Sequence, residues 1–154
     1  MKTLALGVAA IIGAVALLPS TPAWTQDQLT GEAAIEKRQD LMKSAGRATK
    51  AAGQMVKGET DWDAAKASEA MQTLAEVGTT FPTLFPDDSK TGHDTEAAPA
   101  IWEKMDDFKA LAASFAADAE AASAAAAEGL DAFKPAFGKV AGNCRDCHQQ
   151  FRTD

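Results

Sequence analysis

The sequence Cys-Arg-Asp-Cys-His occupies residues 144–148, near the carboxyl end of this 154-residue chain. It has the form C-x-x-C-H, the attachment signature of c-type haem, in which two thiols bond to the porphyrin and the next imidazole ligates iron. Cysteines three positions apart lie on nearby faces of one helical turn, so both sulfur atoms reach one edge of a macrocycle. Cys144 and Cys147 are the only two cysteines present. We therefore expect one covalently bound haem c, with His148 as the proximal iron ligand.

The same spacing has three alternative interpretations. A disulfide redox motif of the form C-x-x-C begins a helix within an α/β fold. Here the motif lies near the end of the last predicted helix, and no strand pattern precedes it. A structural zinc site needs four ligands, so it would use every cysteine and histidine in the chain. A fortuitous C-x-x-C-H is the remaining alternative.

The amino-terminal segment has the pattern of a secretory signal peptide. Lys2 gives a positive start, an apolar run extends from Leu4 to Leu18, and residues 19–23 are helix-breaking and end in small side chains. The apolar run is too short to cross a bilayer. We predict that residues 1–23 are cleaved after Ala23, with an uncleaved membrane anchor as the alternative. Because bacteria attach haem covalently outside the cytoplasm, we expect the protein in the periplasm.

The predicted mature chain, residues 24–154, is long enough for one domain with a modest core. Lys2 is the only charged residue of the removed piece, so 14 basic residues face 22 acidic ones and the net charge is −8. A surface of that sign disfavours nucleic acid and anionic lipid headgroups as partners. It suits a soluble carrier that meets basic partner proteins.

Apolar and small residues recur at helical spacing in four segments and nowhere alternate with period two. We therefore predict an all-α fold, an antiparallel up-down-up-down four-helix bundle. A long connection over residues 79–99, rich in proline, separates the second helix from the third. The predicted helices run from Ile35 to Gly58, from a cap at Thr60-Asp61 through Gly78, from Ile101 to Gly129, and onward from a cap at Asp131.

Two patterns resemble those of the class II cytochromes c, the cytochrome c′ superfamily. Residues 144–152 read C-x-x-C-H-x-x-F-R, and an Arg38-Gln39 pair precedes Met42 near the start of the first helix. The runs LMKSAGR at residues 41–47 and LFPDDSK at residues 84–90 are most similar to the low-spin, Met-ligated branch. The resemblance implies a haem-bearing four-helix bundle that exchanges electrons with periplasmic redox proteins. It also implies a homodimer built on the first two helices in many members.

The sixth coordination position of the iron decides the mechanism. In an up-down-up-down bundle the beginning of the first helix lies beside the end of the last, so Met42 can face a haem held by His148. A thioether is a soft iron ligand, and His/Met ligation raises the reduction potential. We expect a low-spin carrier of single electrons and no enzyme, because the distal stripe offers no histidine or carboxylate suited to acid-base chemistry. In the alternative, Met42 only covers a five-coordinate, high-spin haem that binds or scavenges nitric oxide or carbon monoxide.

Other polar residues have weaker indications. Arg38 lies in an apolar stripe and needs a partner, for which a haem propionate is expected and a nearby Glu or Asp is the alternative. Gln39 is placed near a propionate by the resemblance alone. The resemblance implies that Arg152 lies near the proximal pocket, with a position in solvent as the alternative, and His93 is expected in solvent. The remaining methionines on apolar stripes are interpreted as core packing: Met55, Met71 and Met105.

Overall fold

The computed structural model describes residues 29–153, and most of them are helical. Within that range no strand is formed, and a single isolated antiparallel bridge joins Ala97 to Arg152. The predicted signal peptide at residues 1–23 lies outside the described residues. Four long helices form the bundle, which confirms the predicted fold class. The helices are α1 (Gly31–Lys57), α2 (Ala64–Thr80), a short α3 (Ala100–Glu103), α4 (Met105–Glu128) and α5 (Leu130–Phe151).

The bundle is held together mainly along three helix pairs. α2 packs along α4, α4 along α5 and α1 along α2, whereas α1 and α5 touch sparingly. A central cluster of buried side chains fills the space between the long helices, with Met71, Leu74 and Phe133 fully enclosed. Burying an apolar side chain of this size stabilises the fold by about 1.5–3 kcal/mol. Many of the other members are alanines, which let the helices approach closely.

α1 is longer than predicted at its amino end. The prediction began the helix at Ile35, but the Ala34 N–H already donates to the Thr30 carbonyl at 2.8 Å. The helix therefore starts at Gly31. Gly58 ends it as predicted, in the left-handed conformation (φ 73°) that glycine adopts without steric cost.

The cap of α2 is Asp63, so the predicted cap at Thr60-Asp61 was wrong. The Asp63 carboxylate accepts the Lys66 backbone N–H at 3.0 Å. This is the usual position for an acceptor at a helix start, where the first N–H groups have no partner within the helix. Three candidate cap residues stand within four positions, and only the geometry of the turn selects among them.

The later helices also depart from the prediction in detail. The helix expected from Ile101 is interrupted at Lys104, whose backbone (φ −129°, ψ 47°) is not helical, so it splits into α3 and α4. The predicted cap at Asp131 was wrong as well. α5 begins at Leu130, directly after Gly129, whose positive φ of 109° permits a sharp link from α4.

Pro135 lies inside α5, which continues as one helix from Leu130 to Phe151. Proline removes one backbone hydrogen bond within a helix and crowds the carbonyl four residues before it. In α5 this occurs in the second turn, well before the C-x-x-C-H residues. The turns that carry the motif are therefore regular helix.

The long connection between α2 and α3 is ordered around aromatic side chains. It contains two single 3₁₀ turns, Phe81–Thr83 and Asp87–Ser89. Phe85 from this connection packs edge-on against Phe108 of α4, with ring centroids 4.9 Å apart. We call the buried group to which they belong the aromatic cluster, and it consists of Phe85, Ile101, Phe108 and Phe151.

Candidate haem site

Both thiols of the C-x-x-C-H motif lie on one turn of α5. Cys144 and Cys147 are free and half-buried, and Cys147 packs against the aromatic cluster. Burial raises the pKa of both thiols, and for Cys147 the neighbouring Cys144 adds to the effect. The predicted arrangement is therefore present: two sulfur atoms, one helical turn apart, at the edge of the bundle.

His148 follows on the same helix with its side chain largely at the surface. Partial burial of the imidazole and the positive charge of Arg152 lower the pKa of His148, while the Glu96 carboxylate opposes the shift. A lowered pKa favours the neutral imidazole, which is the form that ligates a metal. Arg152 thus lies close enough to His148 to act on its charge.

Arg38 is buried on α1, with a side chain held by the long connection. One terminal nitrogen donates to Ser89 Oγ at 3.2 Å, and the other donates to the Ser89 carbonyl at 2.9 Å and to Thr95 Oγ1 at 3.3 Å. The guanidinium carbon lies 4.4 Å from the centroid of the Phe85 ring. Arg38 is only 4% exposed. Desolvation by this burial lowers the pKa of Arg38.

No carboxylate of the described residues forms an ion pair with Arg38, so the alternative of a nearby Glu or Asp does not hold within residues 29–153. A buried charge is costly without an opposite charge. A guanidinium has five N–H groups, and the connection uses three of them. Two N–H groups of Arg38 therefore have no acceptor among residues 29–153.

The donor set fits haem c. Two thiols and an imidazole stand in sequence on α5, and α1 presents a buried cation that lacks a carboxylate partner among residues 29–153. A haem offers the complement of this set: two vinyl groups, an iron and two propionates. The fit rests on the chemistry of these side chains, not on spacing alone.

Met42 lies one turn after Arg38 on α1. It is half-buried, and it belongs to neither the central cluster nor the aromatic cluster of the described residues. Met55 and Met71 are members of the central cluster, and Met105 packs against the aromatic cluster, in line with their interpretation as core residues. Met42 therefore differs from the other described methionines.

Gln39 and His93 meet above the amino-terminal turns of α1. The Gln39 side-chain amide donates to the His93 carbonyl at 3.0 Å. The His93 imidazole is about half exposed and lies 3.3 Å from a carboxylate oxygen of Glu32. Gln39 is thus engaged with the connection, and His93 lies at the surface as expected.

The same connection also binds the end of α5. The Ala98 N–H donates to the Phe151 carbonyl at 3.0 Å, and the Thr153 N–H donates to the Glu96 carbonyl at 2.9 Å. The Glu96 carboxylate also lies 2.7 Å from Nε of Arg152. The start of α1 and the end of α5 therefore meet the same short segment, at one end of the bundle.

Sequence reasoning did not find the roles of Ser89, Thr95 and Glu96. The unpaired arginine in an apolar stripe showed that a partner was needed. Its protein partners lie 51 and 57 positions away, however, and no local spacing connects them. The run at residues 84–90 was recognised only as part of the family resemblance.

Comparison with known proteins identifies the family. The family model described as Cytochrome C′ matches residues 33–152. The chain belongs to the cytochrome c′ family. It is 40% identical over 119 residues to cytochrome c′ of Rhodopseudomonas palustris, covering 77% of this chain and 81% of that one. It is 39% identical over 118 residues to cytochrome c-556 of Agrobacterium fabrum, covering 77% and 80%.

Solved structures agree with the bundle. A nitric oxide complex of a cytochrome c prime variant from Alcaligenes xylosoxidans is 28% identical, with a TM-score of 0.72, and the match covers 81% of this chain and 98% of that chain. Similar proteins carry the names cytochrome c′, cytochrome c-556 and cytochrome c-554. These matches show the family and its cofactor, haem c, and they do not single out the low-spin, Met-ligated branch.

Two further features, a membrane-spanning helix and a cluster of metal-binding side chains, are absent among residues 29–153. No helix within residues 29–153 is long and apolar enough to cross a membrane. Nor do three or more His, Cys, Asp or Glu side chains in that range converge on a point where they could hold a metal ion by themselves.

Proposed function

We propose that this cytochrome carries single electrons through one haem c bonded to Cys144 and Cys147, with His148 as the proximal ligand. The observation that carries the proposal is the placement of both thiols and the imidazole within residues 144–148, a stretch of regular helix in α5. When bound, haem supplies an iron that changes by one electron, at a potential set by its axial ligands, burial and nearby charges. The protein's part is to bind, orient and shield that group.

Arg38 and Gln39 are proposed as the residues that face the propionates. Arg38 supplies a buried positive charge with N–H groups left over from its bonds to the connection. A charge-assisted, bidentate contact with a carboxylate would offset its desolvation. Gln39 uses one amide hydrogen on the His93 carbonyl and retains the other. We place Gln39 second, because its side chain is only half-buried.

Met42 is proposed as the distal ligand of the iron. Its helix begins at the end of the bundle where α5 ends, and its half-buried side chain packs in neither hydrophobic cluster of the described residues. The bond lengths around a six-coordinate, low-spin iron would change little when the electron arrives or leaves, and this would keep the reorganisation energy small. His/Met ligation would also raise the potential relative to a site without the thioether.

A second candidate function is binding or scavenging of nitric oxide or carbon monoxide by a five-coordinate, high-spin haem. Similarity to proteins named cytochrome c′, one of them solved as a nitric oxide complex, supports this candidate more than it supports the carrier. The names c-556 and c-554 among the relatives fit the carrier. The two functions differ in whether the Met42 sulfur binds the iron or only covers it. Neither makes the protein an enzyme.

Location and partners follow from the same proposal. We propose export to the periplasm, with the signal peptide at residues 1–23 removed and no stable membrane insertion afterwards. The net charge of −8 on residues 24–154 favours redox partners with basic surfaces, since opposite charges steer such encounters. The same negative charge disfavours binding to nucleic acid. A homodimer is a further proposal, implied by the family.

The deciding experiment is the optical spectrum of the purified haem-loaded protein, oxidised and reduced, with and without carbon monoxide. A low-spin spectrum that carbon monoxide displaces only slowly, because the Met42 sulfur must first leave the iron, supports the carrier. Met42→Leu keeps the volume of the side chain and removes the sulfur, so it should then convert the spectrum to high spin. Met105→Leu is the matched control, because that half-buried methionine packs against the aromatic cluster.

A high-spin wild-type spectrum that shifts with carbon monoxide would overturn Met42 as a ligand and support the gas-binding candidate. A low-spin spectrum that survives Met42→Leu would require a different distal ligand.

A further inference from the structure

The connection between α2 and α3 touches both helices that carry the iron-facing residues. We propose that residues Ser89 to Ala98, with Arg38 and Arg152, form a clasp that fixes the Met42 turn of α1 relative to the His148 turn of α5. Arg38, Ser89 and Thr95 are then positioning residues, which set how tightly Met42 closes the distal side. This inference rests on the proposed function for the identity of the two iron-facing residues.

The α1 end of the clasp is buried. Ser89 is fully buried, and its hydroxyl accepts from Arg38 at 3.2 Å while donating to the Pro86 carbonyl at 2.7 Å. The Ser89 carbonyl accepts a second bond from Arg38 at 2.9 Å. A hydrogen bond in which one partner is ionised is roughly twice as strong as one between neutral groups. Arg38 stands one helical turn before Met42, so a constraint on Arg38 is a constraint on Met42.

Thr95 joins the two ends. Its hydroxyl oxygen accepts from Arg38 at 3.3 Å and also from the backbone N–H of Ala97 at 3.3 Å. Ala97 is the residue that forms the isolated bridge with Arg152. A single oxygen atom therefore stands between the arginine of α1 and the segment paired with the end of α5.

The α5 end is held by the backbone more than by charge. The Arg152–Glu96 pair is short at 2.7 Å, but its side chains are 50% and 62% exposed, and exposed pairs contribute little. Two backbone hydrogen bonds, from Ala98 to Phe151 and from Thr153 to Glu96, flank it. These bonds lie within one to two turns of His148.

Aromatic packing gives a second route between the helices. The Arg38 guanidinium lies over Phe85 at 4.4 Å. Phe85 packs on Phe108, and Phe108 packs edge-on against Phe151 at 5.2 Å. Close-packed rings transmit displacement because they leave little free volume. Both routes run from the turn before Met42 to the turn after His148.

The test removes acceptors of the clasp without altering Arg38, Met42 or His148. Ser89→Ala and Thr95→Val each take away one hydroxyl, and Thr91→Val is the matched control on an exposed threonine of the same connection. The readouts are the rate of carbon monoxide binding to the reduced haem-loaded protein, and amide hydrogen exchange at Ala98 and Thr153.

We expect each clasp variant to bind carbon monoxide about fivefold faster than wild type, the population shift produced by losing about one net hydrogen bond. Thr95→Val should also speed exchange at Ala98 and Thr153, at the far end of the clasp. In a Met42→Ala background the clasp variants should cause no further change in rate, because the group they position is gone.

Rates and exchange equal to those of Thr91→Val would overturn the clasp, and so would an undiminished effect in the Met42→Ala background. The wild-type spectrum decides separately whether Met42 is a ligand. A high-spin wild type therefore refutes the carrier, while the ratio of variant to wild-type rates still decides the clasp. Hydrogen exchange serves as a readout even if a variant loads haem poorly.

Discussion

A methyl group on Gly78 of α2 would lie only 2.9 Å from Cβ of Ala116 on α4. Carbon atoms of two side chains do not approach so closely in folded proteins, so any larger residue at position 78 requires one of the two helices to shift. The backbone nitrogen of Ala116 and the ring of Phe115 would lie equally near, at 3.0 Å. This contact is part of the α2–α4 pairing, the most extensive in the bundle.

We predict that Gly78→Ala destabilises the protein by a net amount of up to about 2 kcal/mol, because overpacking a filled interior usually costs about 1–3 kcal/mol. The higher helix propensity of alanine, worth about 1 kcal/mol, offsets only part of it. Urea unfolding of the haem-loaded protein measures the change. Gly138→Ala is the control, because its methyl group would meet nothing within 4 Å on an exposed turn of α5, and it should be neutral or stabilising. Equal effects of the two substitutions would refute the steric explanation.

Gly31 supports a second prediction, at the start of α1. Its N–H donates to the Asp88 carboxylate at 3.0 Å, and a methyl group there would overlap the Asp88 carbonyl. Gly31→Ala should therefore push the Asp87–Ser89 turn away from α1, lower the melting temperature and speed amide exchange at Ser89. Gly46→Ala, on an open face of the same helix, is the control. Unchanged exchange at Ser89 would contradict the prediction.

The Asp63 cap gives a prediction about acid. Its bonds to the Lys66 backbone and side chain lower the pKa of Asp63. Because the folded pKa lies below the unfolded one, the stabilisation is complete above about pH 4 and is lost as the pH falls through the folded value. Asp63→Asn keeps a capping oxygen but cannot titrate. Its melting temperature should therefore fall less than that of wild type between about pH 5 and about pH 2, the range in which the Asp63 carboxylate of wild type becomes protonated.

Asp61→Asn is the matched control for that experiment. It removes the same charge from the same turn, but Asp61 is exposed and does not cap the helix. Its acid profile should follow that of wild type. If Asp61→Asn and Asp63→Asn behave alike, net charge and not capping explains the pH dependence.

The fold was predictable because helical periodicity is local. Apolar spacing located four helices, and Gly58 and Gly129 marked two of their ends, as the structure confirms. The exact starts were not predictable, since several cap residues compete within a few positions. The helix breaks at Lys104, at the end of the short α3, and α3 meets the connection, where Trp102 donates to the Phe85 carbonyl at 3.1 Å. No pattern in the surrounding sequence indicates that bond.

The candidate site also has a part that the sequence predicts and a part that it does not. The cysteines and the histidine form a contiguous motif, so the sequence was sufficient to propose them. Arg38 could be recognised as a residue in need of a partner, but Ser89 and Thr95 are brought to it by the folding of a connection whose path the sequence does not specify. The role of Met42 depends on the distance between two helices, which periodicity does not give.

The last prediction concerns the residue before the first haem-motif cysteine. The Asn143 amide donates to the Asp118 carboxylate of α4 at 2.7 Å, and both side chains are half-buried. This bond joins α5 to α4 directly beside Cys144. Asn143→Ala leaves the carboxylate without its donor, and should cost about 1–3 kcal/mol. Asp118→Ala should lower the free energy of unfolding by less, because it leaves the neutral Asn143 amide unpaired, whereas Asn143→Ala leaves a charged carboxylate unpaired. The double variant should show a coupling of about 0.5–3 kcal/mol by urea unfolding, and additive costs would mean that the bond does not stabilise the protein.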